Sequence, residues 1–376
     1  MKITQAAYLD GCWQYKTDKA DLKNPLVLVF ANRTLLENRD FTLSIRNEFS
    51  SGHIIYSSTA GEIAGTKALE GSAVVTAAEF EKASFVIRTD NIAHYNKNST
   101  ALGESLYRSF PAEGLRHIIV LSEGSFVNGS ALIQGMENKK QAGVSISGGL
   151  CGDDGRFQKT LVGYNHEPRR GEVVAIGLYG TTLEVTAASA GGWYAFGPMR
   201  IITKSEGNVL YEIDGKPALE LYRNYLGERS GNIAESSLLY PLQVTYPGRD
   251  LAVVRTILNI DEENNAMILA GDVPEQSKVQ LMMASIDDLA EGAREAALQA
   301  AQDREHKASL ALLISCVGRR LAMGQRVEEE LEQVQEVLGP QTVLNGMYSY
   351  GEIAPTKGND FSELHNQTMT LTLISE

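Results

Sequence analysis

Cysteine is scarce in this chain: Cys12, Cys151 and Cys316 are the only three among 376 residues. They are odd in number and far apart, so a disulfide framework is excluded and reduced thiols are expected. Long apolar runs are missing too. The longest, around residues 310–317 and 173–178, fall well short of the roughly 20 residues that cross a bilayer, so no membrane span or membrane partner is expected. The first ten residues, MKITQAAYLD, carry no apolar segment after their single Lys, which speaks against a secretory signal and for a cytoplasmic location. Positive charge is in deficit, with 34 Lys and Arg against 47 Asp and Glu and a net charge of −13. A phosphate backbone would be repelled over most of such a surface, so nucleic acid is not an expected partner.

The usual catalytic strings are absent as well. Gly61-Glu62-Ile63-Ala64-Gly65-Thr66-Lys67 lacks the spacing of a phosphate loop, and Gly143-Val144-Ser145-Ile146-Ser147 lacks the second Gly of a nucleophile elbow. His166-Glu167-Pro168 breaks any zinc-binding helix at its proline, and there is no Cys-x-x-Cys-His for covalent haem attachment. Arg319 follows Cys316 too closely for a phosphatase cradle. No common reaction is announced.

What is present is a packed-protein composition, 43% hydrophobic and 22% charged, with length for two domains or one large one. Val-, Ile- and Leu-rich runs at residues 26–30, 54–57, 73–77, 117–121, 173–178 and 252–258 read as strands. Helical spacing lies between some of them, at 33–49, 100–110 and 131–139, and glycines divide 171–213 into what reads as an antiparallel meander. The α/β (α+β) class follows, with mixed or antiparallel sheets flanked by helices and sheet-on-sheet layering as one arrangement open to them. Asp214-Gly215-Lys216-Pro217 is a turn before a helix ending at Gly227, and it divides the chain into domains 1–216 and 217–376. Beyond it the pattern predicts a helix at 286–305, a strand at 310–314 and a Glu-rich helix at 320–338. Tyr56-Ser57-Ser58-Thr59-Ala60-Gly61-Glu62-Ile63-Ala64 is echoed by Tyr348-Ser349-Tyr350-Gly351-Glu352-Ile353-Ala354, one copy per half, which suggests two pseudo-repeated lobes. In each copy Gly lets the backbone turn at a strand end and aim a carboxylate into a cleft.

Polar residues at strand ends are the candidate site. Ser147-Gly148-Gly149-Leu150-Cys151-Gly152-Asp153-Asp154 is either an anion nest or a tight connection. In Ser315-Cys316-Val317-Gly318-Arg319, Arg319 either activates Cys316 or holds a ligand carboxylate, or else caps neighbouring carbonyls beside a buried thiol. Glu62 and Glu352 could take an amine or pair with a nearby Arg. Among six histidines, His365 lies after the second Gly-Glu and before the last strand, where it can approach the same cleft.

Taken together, these strings, with Gly192-Trp193, Asp214-Gly215-Lys216-Pro217-Ala218-Leu219-Glu220-Leu221-Tyr222 and His365-Asn366-Gln367-Thr368, resemble the FIST sensory proteins, an N-terminal and a C-terminal FIST domain in one chain. Met347 stands where the family pattern has an aromatic, a departure that could alter a pocket wall. The resemblance implies a sensor rather than an enzyme: family members were proposed to bind small ligands such as amino acids, and some stand-alone members are haem-binding nitric-oxide sensors that regulate a partner histidine kinase. Three readings follow. The first is a haem b-dependent nitric-oxide sensor in two-component signalling, with His365, then His166, as candidate iron ligands and a sensor histidine kinase or other signalling protein as partner. The second is an amino-acid or small-carboxylate receptor in which Arg319 takes the carboxylate and Glu352 or Glu62 the amine, near Cys316, Tyr350, Gly351 and Gly61. The third is an enzyme with Cys316 or Cys151 as nucleophile. A homodimer is compatible with all three.

Overall fold

The computed structural model describes residues 1–227, 237–249, 252–356 and 361–376. Its organisation follows from three largely apolar strands, Leu26–Ala31, Leu115–Ser122 and Leu310–Cys316. Runs that are apolar at nearly every position suit strands covered on both faces, as in parallel pairing under a crossover helix. Each has a parallel neighbour reached through such a crossover: His53–Ser58, Ser145–Leu150 and Val343–Ser349. On its other side each has an antiparallel neighbour, Ala73–Glu79, Glu172–Tyr179 and Met369–Ser375. An outer strand completes each unit: Lys2–Leu9, Ser84–Asn91 and Glu184–Ala190.

Between the parallel strand and the returning one, each unit lends a short strand to another unit's sheet. Glu62–Ala64 pairs with Val343–Ser349, Val162–Tyr164 with His53–Ser58, and Gly351–Pro355 with Ser145–Leu150. The three sheets are thereby laced in a ring. Where the sequence echo suggests two related lobes, the strands show three related units. The middle one was hidden because its lent strand carries Val162 where the others carry Glu62 and Glu352. Alternation along the strands explains the packing. Leu26, Leu28 and Phe30, Ile119 and Leu121, and Leu310, Leu312 and Ile314 meet in one shared cluster. Val27 and Val29 face the first unit's helices, while Ile118, Val120, Ala311 and Leu313 join the cluster that contains the other units' helical residues. Met347 belongs to the shared inner cluster, so the departure from the family pattern falls in the core and not on a pocket wall.

Asn38 and Asn128 start the crossover helices Arg39–Glu48 and Gly129–Glu137 by accepting backbone N–H bonds. In the third unit the helix expected at 320–338 is two, Val317–Met323 and Glu328–Leu338, because Gly324 adopts a left-handed φ of 55°. Ser99–Arg108 and Ile286–Ala301 pack outside the crossover helices.

Between the third unit's outer strand and Ile286–Ala301 lies an inserted eight-stranded sheet, formed from strands between 194 and 283 and carrying the helix Ala218–Leu226. Its core is its own, built on Ile202, Leu219, Tyr222, Val244 and Met267. The helix begins after Pro217 and stops at Gly227 as the sequence indicates. The strands Val209–Ile213 and Lys216–Pro217 pair across the turn at Asp214, so position 216/217 lies inside one sheet.

Candidate functional site

Ligands of α/β sheets gather at the carboxyl ends of parallel strands. In the third unit those ends are Cys316, which leads into the helix Val317–Met323, and Ser349, which leads into Tyr350-Gly351-Glu352. The turn His365-Asn366-Gln367-Thr368 closes over them, since Cys316 N donates to Thr368 O at 3.1 Å.

Glu352 is buried in a cradle. It accepts from Ser349 Oγ at 2.8 Å, Thr368 Oγ1 at 2.9 Å and Thr368 N at 3.1 Å. Desolvation outweighs these bonds and pushes its carboxyl up to about 8. The first unit repeats the arrangement: Glu62 accepts from the hydroxyls of Thr59 and Ser72 and from Ser72 N at 3.3 Å, and burial pushes it up to about 7. The two Gly-Glu strings thus occupy equivalent positions in two different units, each with its own cradle. Gly61 has a φ of 130° and its missing Cβ would lie 2.8 Å from Arg320 Nη1; Gly351 packs against Leu364 and Leu150.

Tyr350 points away from the Glu352 cradle. Its hydroxyl donates to Asp153 and accepts from Phe157 N at 3.1 Å, and its ring stacks on Phe157 with centroids 4.3 Å apart. With Phe157, Phe126, Leu150 and Leu258 it lines a cleft of about 280 Å³. The glycine-rich loop near Asp153 is not an open anion nest. The amides of Phe157, Gln158 and Lys159 all donate to Asp153 itself, which Arg33 Nη1 also meets at 3.1 Å.

Arg319 is fully buried, and the protein uses its guanidinium completely. Nε and Nη2 meet Glu330 Oε2 at 3.0 and 2.9 Å, Nη1 donates to Gly191 O and Gln367 O, and Nη2 donates to Leu289 O at 2.7 Å. Glu330 in turn accepts from Ser315 Oγ and Tyr348 OH. The role of ligand-carboxylate clamp expected of Arg319 is corrected here: those bonds would have to break first. The carbonyl-capping alternative describes what it does.

Gln367 carries the strongest sign of function. It is 0% exposed yet sits at φ 60°, a left-handed backbone that a non-glycine residue adopts at a cost of about 1–3 kcal/mol. Its carbonyl accepts from Trp193 Nε1 at 3.0 Å and from Arg319, and its Nε2 donates to Leu238 O at 3.1 Å. Among the described residues its Oε1 has no partner, and in the adjacent buried Asn366 both amide atoms have none. Gly318 is required beside them, because a Cβ there would lie 2.5 Å from Gln367 Nε2. Asn366, Gln367, Ser349 and Thr368 stood in the motif strings but were not named as candidate site residues, although a polar HNQT run just before a fully buried last strand was the available signal.

The histidines are placed apart. His365 lies opposite Glu352 in strand register, buried, with Nε2 3.2 Å from Ala354 O and its pKa lowered chiefly by burial. His166 is at the surface, held by Glu167 O at 2.9 Å and Glu172 Oε1 at 3.0 Å. Neither lines a described cleft, and the described residues contain no group of three or more His, Cys, Asp or Glu able to hold a metal ion. His365 Nε2 is held at Ala354 O and both ring nitrogens of His166 have partners, so neither histidine, as placed, offers iron a free Nε2. Burial also raises both inner thiols, Cys151 to about 12 and Cys316 further, with the Glu352 charge adding to the shift at Cys316. They are thiols rather than thiolates at neutral pH, which is not the state of a working nucleophile. Iodoacetamide should therefore label only Cys12 in the native protein and all three cysteines after denaturation. Rapid native labelling of Cys316 would show instead that the strand ends open.

No helix among the described residues is long and apolar enough to cross a membrane. In comparison with known proteins, the chain is 26% identical over 265 residues to the uncharacterized protein MJ1623 of Methanocaldococcus jannaschii, a match covering 62% of this chain and 49% of that protein. The matched region thus spans about half the length of that curated relative. Among solved structures, a chorismatase aligns over 99% of both chains at 8% identity with a TM-score of 0.33. A cyanuric acid hydrolase from A. caulinodans aligns over 78% of this chain and 99% of its own at 11% identity and a TM-score of 0.17. Residues 25–216 match the FIST N domain and residues 218–355 the FIST C domain, so the chain belongs to the FIST family, whose domains are signal-transduction sensors of small ligands.

Proposed function

We propose that this protein is a small-molecule receptor whose ligand is an amino acid or small carboxylate, seated at the strand ends beside Glu352, Asn366 and Gln367. The observation that carries the reading is the buried, left-handed Gln367, whose Oε1 has no partner among the described residues, next to the Asn366 amide, which likewise has none among them. Each buried polar group left unmet costs about 1–3 kcal/mol, and such groups persist where a ligand meets them. Two side-chain amides supply both donors and acceptors, the pairing that a carboxylate and an amine on one small molecule require. Glu352 takes the amine, and the Asn366 amide N–H takes the carboxylate in place of the committed Arg319. Binding would draw the proton off Glu352, so affinity for an amine-bearing ligand rises with pH up to about 8. The signal passes to a separate effector, a sensor histidine kinase being the partner the family resemblance suggests. The haem and nitric-oxide reading has no support in the positions of His365 and His166.

A panel of amino acids and small carboxylates tested by thermal shift decides the matter. One chemical class should raise the melting temperature, by an amount equivalent to about 2.7 kcal/mol at a hundredfold excess over Kd. Asn366→Ala should abolish that rise. No stabilisation by any member at millimolar concentration overturns the reading, and a stoichiometric Soret band on adding haem would replace it with the gas sensor.

A further inference from the structure

A second cleft, of about 400 Å³, lies where the inserted sheet meets the helix Gly129–Glu137 and the strand Ser362–His365. Its chemistry is set by Arg255, at the end of the strand Ala252–Arg255 and only 1% exposed. A buried guanidinium is ordinarily matched by a carboxylate, as Arg319 is by Glu330 and Arg304 by Glu184 at 3.5 Å. Arg255 meets neutral acceptors: Asp272 O at 3.2 Å from Nε, Val254 O at 3.2 Å and Leu364 O at 2.9 Å from Nη1, and the Tyr246 hydroxyl from Nη2. Its guanidinium stands 5.7 Å from the centre of the Tyr246 ring. Among the described residues no carboxylate forms an ion pair with it.

Neither acidic group that shares the cleft forms an ion pair with Arg255. Glu363 pairs with Arg249 at 2.8 Å and accepts from Thr356 Oγ1 at 2.9 Å, while Asp272 Oδ1 accepts from Asn128 Nδ2 at 3.1 Å. Arg255 is therefore the arginine of the cleft without an ion-pair partner among the described residues, and the Asp272 carboxylate, met by the neutral Asn128 amide, shares the lining with it. Ser130, which also lines it, has an Oγ with no partner among the described residues. The remaining wall is largely apolar or aromatic, through Ile133, Tyr246, Phe361 and Pro274. A guanidinium without a charged counterpart and a hydroxyl without a hydrogen-bonding one among the described residues, set beside Ile133, Tyr246, Phe361 and Pro274 in a lining that also carries Gln134, Asn138 and Ser362, suit a ligand with one negative charge and an apolar body.

We infer that this cleft is a binding site for a small apolar monocarboxylate, of the aromatic or branched aliphatic kind. The carboxylate meets Arg255 and Ser130 while the body packs on Tyr246 and Ile133. Because its walls come from both the three-unit body and the inserted sheet, the ligand would fasten one to the other. This site is separate from the one at the strand ends and does not depend on it.

Titration calorimetry on the full chain with benzoate, phenylacetate and the uncharged benzamide tests the inference. The carboxylates should bind at least about tenfold more tightly than benzamide, since only they engage the guanidinium. Arg255→Gln, checked for native circular dichroism, should remove that preference. Should Arg255→Gln fail to fold, Ser130→Leu decides instead, since it fills the cleft from a half-buried helix position and should abolish binding. Asn366→Ala should leave benzoate binding unchanged, which separates this site from the amino-acid site. Equal affinity for benzoate and benzamide, no binding of any probe at 10 mM (on the order of the weakest specific affinities), or unchanged benzoate affinity in folded Arg255→Gln or in Ser130→Leu would overturn it.

Discussion

Arg319→Leu is expected to destabilise the third unit by about 3–5 kcal/mol, the cost of stranding one member of a buried ion pair. Glu330 would be left as a buried carboxylate with only Ser315 and Tyr348 as donors, and the carbonyls of Gly191, Leu289 and Gln367 would each lose a charged partner. Those carbonyls come from three separate stretches of chain, so the guanidinium also fixes where the Gln367 turn sits against the helix Ile286–Ala301. Arg319→Lys keeps the charge but not the planar fork, and should fall between wild type and Arg319→Leu. The measurement is the urea midpoint by circular dichroism. Arg319→Leu combined with Glu330→Leu should recover part of the loss, because it removes both charges. A loss below about 1 kcal/mol for Arg319→Leu would mean that the pair is solvated, and would return Arg319 to the set of residues available to a ligand.

The second large effect is a fall in stability as pH rises, traceable to two carboxyls. Glu62 and Glu352 titrate at about 7 and about 8 in the folded protein, against 4.5 for an unperturbed glutamate. The folded state therefore keeps these protons after the unfolded chain has lost them. The stability they contribute is fully present below 4.5 and is lost as pH rises through 7 for Glu62 and through 8 for Glu352. Each should account for a loss on the order of a few kcal/mol. Gln mimics the protonated acid at all pH values, so Glu352→Gln and Glu62→Gln should each be more stable than wild type at pH values above the group's own folded value. Near the unperturbed value of 4.5 they should match it. The difference between variant and wild type is the quantity to follow, because carboxylates with lowered pKa values elsewhere, such as Glu48 and Glu184, contribute in the opposite sense. Parallel pH profiles for wild type and Glu352→Gln would show that the cradle admits water.

The central strands were legible because burial on both faces leaves nearly every position apolar, as in Leu26–Ala31 and Leu310–Cys316. The helix Ala218–Leu226 was legible from Pro217 and Gly227, which are local signals. The likeness of Glu62 to Glu352 was legible too, and the structure adds equivalent hydroxyl donors three residues upstream at Thr59 and Ser349. The middle unit escaped notice because pairing geometry, not residue identity, defines it: Val162 fills the lent-strand position without a carboxylate. Arg319 was recognised as important but its job was not fixed, since its partners lie as far as 128 residues away in the chain.

By itself, then, the sequence determined the elements, the class and the family, because these rest on short-range patterns of burial, turn chemistry and motif that each segment carries alone. Only the tertiary structure decided what the polar residues do. Whether Arg319 or Arg255 is the guanidinium left without a carboxylate, and whether the amides of Gln367 and Asn366 find partners, depends on which distant chain segments meet them in a buried, low-dielectric space.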